Sequence, residues 1–431
     1  VAVGGPYVTS TPEPAKVAGA DYLILNEGEI TLPMFVEALD RGETSGTFST
    51  PEKPDVTQTP VPRFDLLDLD AYSALSVQFS RGCPFQCEFC DIIVLYGRKS
   101  RTKTPAQVLQ ELECLYNLGW RGTITLVDDN FIGNKRNVKL LLPELKIWQI
   151  QHDYPFAFTT EASIDLAKDP ELMDLMVECN FWAVFVGIET PDEDSLKVTQ
   201  KFQNLRDPLL ESIDKILRSG LQIHAGLIVG FDGEKTGAGD RVVEFVQQSA
   251  IPVAMFSLLQ ALPNTALWHR LEKEGRLLPL QVVGNESAVM NFVPTRPIEE
   301  IAKEYVEGVW QLYESDRYLD RVFNMILKLN EAKTKHKHCG SAPLLTAFKT
   351  LSRLLWKYGF KLDSRWRFWS HIWTLLRQHP DWVVPYIMGC AQLEHFLEYR
   401  ETVRDRIGQQ LTAYQNARQS LRSNLELQNV A

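Results

Sequence analysis

Apolar positions change their period along the chain, and the change divides it. From about residue 76 to 262, short apolar runs near 76–80, 123–127, 156–160, 183–188, 222–229 and 253–259 alternate with amphipathic stretches. That alternation is expected when parallel strands are joined by crossover helices. Thr104-Pro105-Ala106-Gln107 supplies an N-cap, an N1 proline and a capping-box partner for the first helix, and Gly119 stops it. Asp169-Pro170 opens the third helix in the same way and Gly220 closes the fourth. Six such units predict an α/β region that is either an open doubly wound sheet or a partial barrel. In both, ligands gather at the carboxyl ends of the strands.

Before this region, a helix around Pro14–Ala18, a strand at Asp21–Leu25 and an amphipathic helix from about Leu32 to Leu39 read as the tail of another α/β sheet. The opening Val1-Ala2-Val3-Gly4-Gly5-Pro6 reads as the last residues of a strand and its turn, so further strands are expected ahead of it. Polar composition with Pro51, Pro54, Pro60 and Pro62 predicts a semi-extended linker. Beyond residue 276 the strand signal stops, and helices are expected over 298–329, 342–358, 366–377 and 383–425. The expected divisions are 1–45, a linker at 46–70, the α/β region at 71–275 and a helical domain at 276–431.

Composition narrows the function. With 431 residues, 45% hydrophobic and 10% aromatic, the chain can bury real cores. Its most apolar stretch, Phe181–Ile188, is far shorter than the roughly 20 residues a spanning helix needs. A net charge of -10 argues against a general phosphate-backbone binder, so no nucleic-acid partner is expected. One segment reverses that sign: Lys349 to Arg377 holds seven Lys or Arg against Asp363 alone, a balance of +6, and five tryptophans (Trp356, Trp366, Trp369, Trp373 and Trp382) lie in or beside it. An aromatic core with solvated cations is the leading reading. The alternative is a basic, Trp-rich face lying on an anionic bilayer, a peripheral contact at the inner side of the membrane.

The strongest chemical signal is Arg81-Gly82-Cys83-Pro84-Phe85-Gln86-Cys87-Glu88-Phe89-Cys90 on the loop leaving the first strand of the α/β region. Three thiolates on one tight loop can hold three irons of a [4Fe-4S] cluster, which ordinarily takes four cysteines; the fourth iron stays open to chelate a small molecule. A structural zinc site is the alternative, but zinc ligands usually come in pairs on two knuckles, whereas Cys114, Cys179, Cys339 and Cys390 are scattered singly. Seven cysteines in this arrangement point to a reducing compartment, and the cytoplasm is expected. Asp128, Asp129, Glu161 and Glu189 follow strand ends and are expected to converge on one mouth. Arg98 and Arg101 either steady a carboxylate or cap helices. His336, His338 and Cys339 read as an exposed basic loop rather than a second metal site.

At the cysteine loop the chain resembles the radical SAM superfamily, whose motif is this spacing with an aromatic, here Phe89, before the last cysteine. Thr125–Phe131, Glu161, Gly187-Ile188-Glu189-Thr190 and Gly226–Phe231 are similar to the superfamily's cobalamin-binding branch. Cys90–Arg98, Arg101, Lys103, Thr104 and the helical C-terminal region resemble the subgroup that includes the hopanoid C-2 methyltransferases. Pro263-Asn264-Thr265 departs from the usual Pro-Gly-Thr, so a different turn is expected there.

The resemblance implies a partial (β/α)6 radical SAM barrel, preceded by the end of a Rossmann-like cobalamin-binding domain that includes Gly4 and Gly5 and followed by the helical domain. It implies a [4Fe-4S] cluster on Cys83, Cys87 and Cys90, and S-adenosylmethionine held near Phe89, Asp128, Asp129, Glu161, Glu189, Gly226 and Gly230. The implied reaction is cobalamin-dependent methylation of an unactivated carbon on a small-molecule or lipid, hopanoid-like substrate, started by a 5'-deoxyadenosyl radical, with an electron donor such as flavodoxin or ferredoxin. The branch's usual cobalt-ligating Asp-x-His-x-x-Gly does not occur, and this chain by itself is expected to bind cobalamin weakly or not at all. Two other readings stay open. One is the same cofactor set in an oxidative cyclase; the other is a non-enzymatic electron carrier, which requires a fourth cysteine ligand. A tRNA methylthiotransferase does not match the acidic helical tail.

Overall fold

Three short parallel strands, β1 (Ala2–Gly4), β2 (Tyr22–Ile24) and β3 (Gly46–Phe48), pair in that order at the amino-terminal end of the chain. The computed structural model describes residues 1–279, 288–337 and 344–430. The helix Gly28–Asp40 covers these strands, with Phe35 packed between Tyr22 and Phe48. Residues 46–48, expected to belong to a linker, are therefore part of this sheet. A three-residue strand is too short to show a period, and pairing along the edge of β2 makes it extended.

The main sheet begins with β4 (Ala74–Val77), after which β5 (Ser80–Arg81) pairs antiparallel with β6 (Arg101–Thr102) and pins the two ends of the cysteine loop. Five more parallel strands follow: β7 (Gly122–Leu126), β8 (Phe156–Glu161), β9 (Phe181–Glu189), β10 (Gln222–Val229) and β11 (Val253–Leu258). The order is β11-β10-β9-β8-β7-β4, so each strand pairs with the next in the chain. A doubly wound sheet reverses its order at a switch point; an unbroken succession is how a barrel is built. Six strands thus form the partial barrel, with β4 and β11 at its edges.

Helix signals act where expected. Thr104 and Gln107 complete a capping box for Pro105–Asn117, Asp169 accepts from the Leu172 N–H to open Pro170–Glu178, and Gly220 ends Leu209–Ser219 with φ 109°. Along β10, Ile223, Ala225, Leu227 and Val229 are buried among the helices, whereas Gln222, His224, Gly226 and Ile228 face the lumen and keep partial exposure.

Helices Ile298–Leu312 and Ser315–Leu329 pack on the β11 side of the barrel through Tyr305 against Phe256 (5.2 Å) and the Tyr313 hydroxyl donating to the Ala254 carbonyl (2.6 Å). The single helix expected over 298–329 breaks at Tyr313 and Glu314. That over 383–425 is likewise two, Val383–Ala391 and Leu393–Val430. Leu344–Trp356 ends in a π-helical turn at Lys357–Lys361, and Arg365–Gln378 follows.

Candidate functional site

Gly82 turns the chain into the cysteine loop with φ 92°, where a Cβ would lie 2.7 Å from the Lys99 carbonyl oxygen. Only glycine combines that conformation with that approach. The loop is fastened from below: Asp128 is buried and accepts from the Phe79 N–H (2.8 Å) and the Ser80 hydroxyl (2.6 Å), while Asp129 Oδ2 accepts from the Gly82 N–H (2.7 Å). Cys83, Cys87 and Cys90 then border one cleft at the carboxyl end of the strands, together with Phe85, Phe89, Asp129, Asn130, Glu161, Phe185, Gly187, Glu189, Lys201 and Gln203. A cavity of about 180 Å³ lies there.

The sulfurs meet polar groups. Asn130 Nδ2 lies 3.9 Å from Cys83 Sγ, and Gln203 Nε2 donates to Cys87 Sγ at 3.5 Å. Burial pushes the Cys83 thiol up and that of Cys90 to about 12, with neighbouring Cys87 adding to both. Metal loading must therefore displace protons from these thiols. Among the described residues no three His, Cys, Asp or Glu side chains close on a single ion. Cys114, Cys179 and Cys390 do not border the cleft, and Cys179 donates to the Leu142 carbonyl instead. Cys339 lies outside the described residues.

Charged side chains line the same cleft beside the thiols. Glu189 and Lys201 form a buried ion pair. Burial alone would lower the lysine, but the Glu189 carboxylate and the nearby thiols hold it above its ordinary value. Glu189 itself adopts φ 65°, the left-handed region that a non-glycine residue enters at a cost and mostly at functional sites. At Gly187 a Cβ would run into the Glu189 carboxylate and come within 2.7 Å of Lys201 Nζ. Glu161 opens onto the cleft, yet the surrounding protein and then the Asp129 and Asp128 charges raise it to about 7. Three carboxylates against one ammonium make this lining suited to a cationic ligand bearing hydroxyl and amino donors.

Several expected site residues are placed elsewhere. Asp128 does not border the cleft; it is consumed in bracing the loop, and burial raises it to about 6. Gly226 gives room to the Phe185 ring, 3.0 Å from where its Cβ would be, and Gly230 gives room to Met290 (2.8 Å). Gly226 thus stands beside Phe185 and Gly187, which border the cleft, while Gly230 packs on the helical side against Met290. Gly4 sits where a Cβ would be 2.8 Å from the Ile24 carbonyl oxygen, so it admits strand pairing, whereas Gly5 has open space beside it. Phe89 borders the cleft and packs on Phe231 (6.0 Å). Asn264 takes φ 64°, the left-handed region asparagine tolerates, and so accommodates the departure from Pro-Gly-Thr. His336 Nε2 meets the Gly220 carbonyl (2.7 Å); His338 lies outside the described residues.

Three groups have no site role assigned from the sequence: Asn130, the Lys201–Gln203–Asn204 turn, and Glu27 with Arg81. Glu27 is buried and bonds Arg81 (3.0 Å) and Arg101 (2.8 Å), while Arg81 also holds Glu29 at 2.7 Å. Arg101 thus steadies a carboxylate of the protein itself. The network ties the amino-terminal sheet to the residue next to Gly82.

Residues 77–246 match the Radical SAM superfamily, and residues 265–409 match a domain of unknown function, DUF4070. An uncharacterized methyltransferase of Synechocystis sp. is 61% identical over 420 residues, 97% of this chain and 78% of that protein. The hopanoid C-2 methylase of Rhodopseudomonas palustris is 34% identical over 377 residues, 86% of this chain and 70% of that protein. In fold, the chain is similar to the radical S-adenosylmethionine methyltransferase TsrM from Kitasatospora setae, solved with cobalamin and a [4Fe-4S] cluster. The TM-score is 0.57 at 18% identity, covering 92% of this chain and 81% of that one.

Proposed function

Since the chain belongs to the radical SAM methyltransferase family, we propose that it methylates an unactivated carbon of a hydrophobic, hopanoid-like substrate in a cobalamin-dependent reaction. The observation that carries the radical chemistry is the set of three thiols, all on one loop, sharing one cleft with Asp129, Glu161 and Glu189. The similarity to the hopanoid C-2 methylase along most of both chains supports the substrate class, and the amino-terminal strands, with Gly5 open beside the first of them, support the cobalamin assignment.

Cys83, Cys87 and Cys90 would hold the cluster, and when bound with S-adenosylmethionine it supplies reductive cleavage to a 5'-deoxyadenosyl radical. The chain's own residues perform the rest of the positioning. Asn130 and Gln203 direct N–H groups at two of the sulfurs. Asp129, Glu161 and Glu189 present acceptors for ammonium and hydroxyl groups, and the ion pair with Lys201 fixes the Glu189 side chain. Phe85, Phe89 and Phe185 wall the cleft with apolar surface that limits water around a reactive intermediate.

The full-length protein carrying its iron-sulfur cluster, given S-adenosylmethionine, reductant, cobalamin and a hopanoid extract under anaerobic conditions, should yield both 5'-deoxyadenosine and S-adenosylhomocysteine, with a methylated lipid by mass spectrometry. 5'-Deoxyadenosine without S-adenosylhomocysteine across lipid and tetrapyrrole substrates would replace methylation by the cyclase reading. Neither product from protein with an intact cluster would remove the enzymatic proposal.

A further inference from the structure

On the helical domain, Trp366, Ser370, Trp373 and Arg377 fall on one line of helix Arg365–Gln378, opposite the buried Phe368, Ile372 and Leu375. Trp366 is 75% exposed and Trp373 58%. The preceding π-helical turn extends the patch: exposed Trp356 stacks on exposed Phe360 (5.3 Å), which meets Trp369 edge-on (5.9 Å). Aromatic surface of this extent, left in water, calls for an occupant.

The cations around it set the occupant's charge. Lys349, Arg353, Lys361 and Arg377 have no carboxylate partner among the described residues, whereas Lys357 and Arg367 are neutralised by Glu394 and Asp320. Arg377 lies 4.4 Å over the Trp373 ring and Arg365 5.8 Å over that of Trp366, so charge and indole stand at one level. A second copy meeting this face across a two-fold axis would set these four cations against the same four. No described helix is long and apolar enough to cross a membrane.

We propose that this face, Trp356 to Arg377, docks the protein on the surface of an anionic lipid bilayer, with the indoles at headgroup depth and the unpaired cations on the lipid phosphates. The proposal stands on the surface itself and does not depend on the substrate reading.

The test is flotation of the full chain with phosphatidylcholine vesicles, with and without phosphatidylglycerol. Binding is expected only to the anionic vesicles at low salt, with a blue shift of tryptophan emission. Release is expected near about 0.5 M salt, where the screening length falls below roughly 5 Å. Trp366→Ser with Trp373→Ser, and separately Arg353→Gln with Lys361→Gln, should each lower partitioning about tenfold or more. Circular dichroism and cluster absorbance, unchanged, would show that both variants fold. Three results would overturn the proposal: no wild-type binding to anionic vesicles at low salt, equal binding by folded variants, or a vesicle-independent dimer by light scattering that the tryptophan changes dissolve.

Discussion

The cleft at the barrel mouth and the outer face of the helical domain both bring cations beside aromatic rings, but they treat the charge oppositely. In the cleft, Lys201 is buried 5.8 Å from the Phe89 ring and answered by Glu189; behind the cysteine loop, Arg81 is answered twice, by Glu27 and Glu29. On the outer face Arg353, Lys361 and Arg377 are exposed and unanswered among the described residues. A charge taken out of water must be compensated within the protein or its desolvation is not repaid. A charge left in water is free to meet an external partner, weakly and under the control of salt. The first arrangement fixes a small ligand; the second suits a soft, extended surface.

The largest expected effect tests the buried side of this contrast. Glu189→Gln leaves the Lys201 ammonium buried without its counter-charge, and stability in chemical denaturation should fall by about 3–5 kcal/mol. Arg353→Gln with Lys361→Gln should move it by no more than about 0.5 kcal/mol. Equal losses from the two would erase the distinction. An intermediate effect is expected at Glu27→Gln. Arg81 keeps Glu29 in that variant, so the loss should be about 1–3 kcal/mol. Because Arg81 adjoins Gly82 and Cys83, the cluster absorbance of the variant should also bleach faster in air. A variant destabilised without faster bleaching would confine Glu27 to holding the amino-terminal sheet in place.

Much of this organisation is legible in the sequence, where its physical cause is local. The cysteine spacing, the capping box at Thr104 and the six strand periods each depend on neighbours within a few residues. Asp128 and Asp129 show what pattern reading can miss even when the signal exists. Ile124, Leu126 and Asp128 alternate onto the same buried side of β7, so only Asp129 is turned toward the cleft. The Lys201–Gln203–Asn204 turn carries no period and no motif; its burial comes from packing beneath β9, where Asn204 donates to the Gly187 and Ile188 carbonyls. The tryptophans divide. Trp369 and Trp382 are partly buried and hydrogen-bonded to Gly359 and Asn330, as a core reading expects, whereas Trp356, Trp366 and Trp373 point outward. A helix that is aromatic on both sides gives its period but not which side is wet.

The smallest effect sharpens the contrast through pH. In the cofactor-free protein Glu161 is raised to about 7 from its ordinary 4.5, first by its enclosed surroundings and then by the Asp129 and Asp128 charges. Between those values the folded chain holds a proton that the unfolded chain has released. This group's contribution to stability is therefore full below about 4.5 and is lost as pH rises through about 7. The side chain borders open water, which screens the penalty, so the shift in melting temperature should be only about 1–2 °C. Glu161→Gln removes the titration, and its melting temperature should gain on that of the unsubstituted protein as pH rises from about 5 to 8. Arg353→Gln with Lys361→Gln should track the unsubstituted protein across the same range, because exposed Lys and Arg stay charged throughout it. If the Gln variant instead keeps a constant offset across this range, the Glu161 carboxylate is already stabilised by a cation in the cleft. The acidic lining would then be compensated before any ligand arrives, as Glu189 is by Lys201.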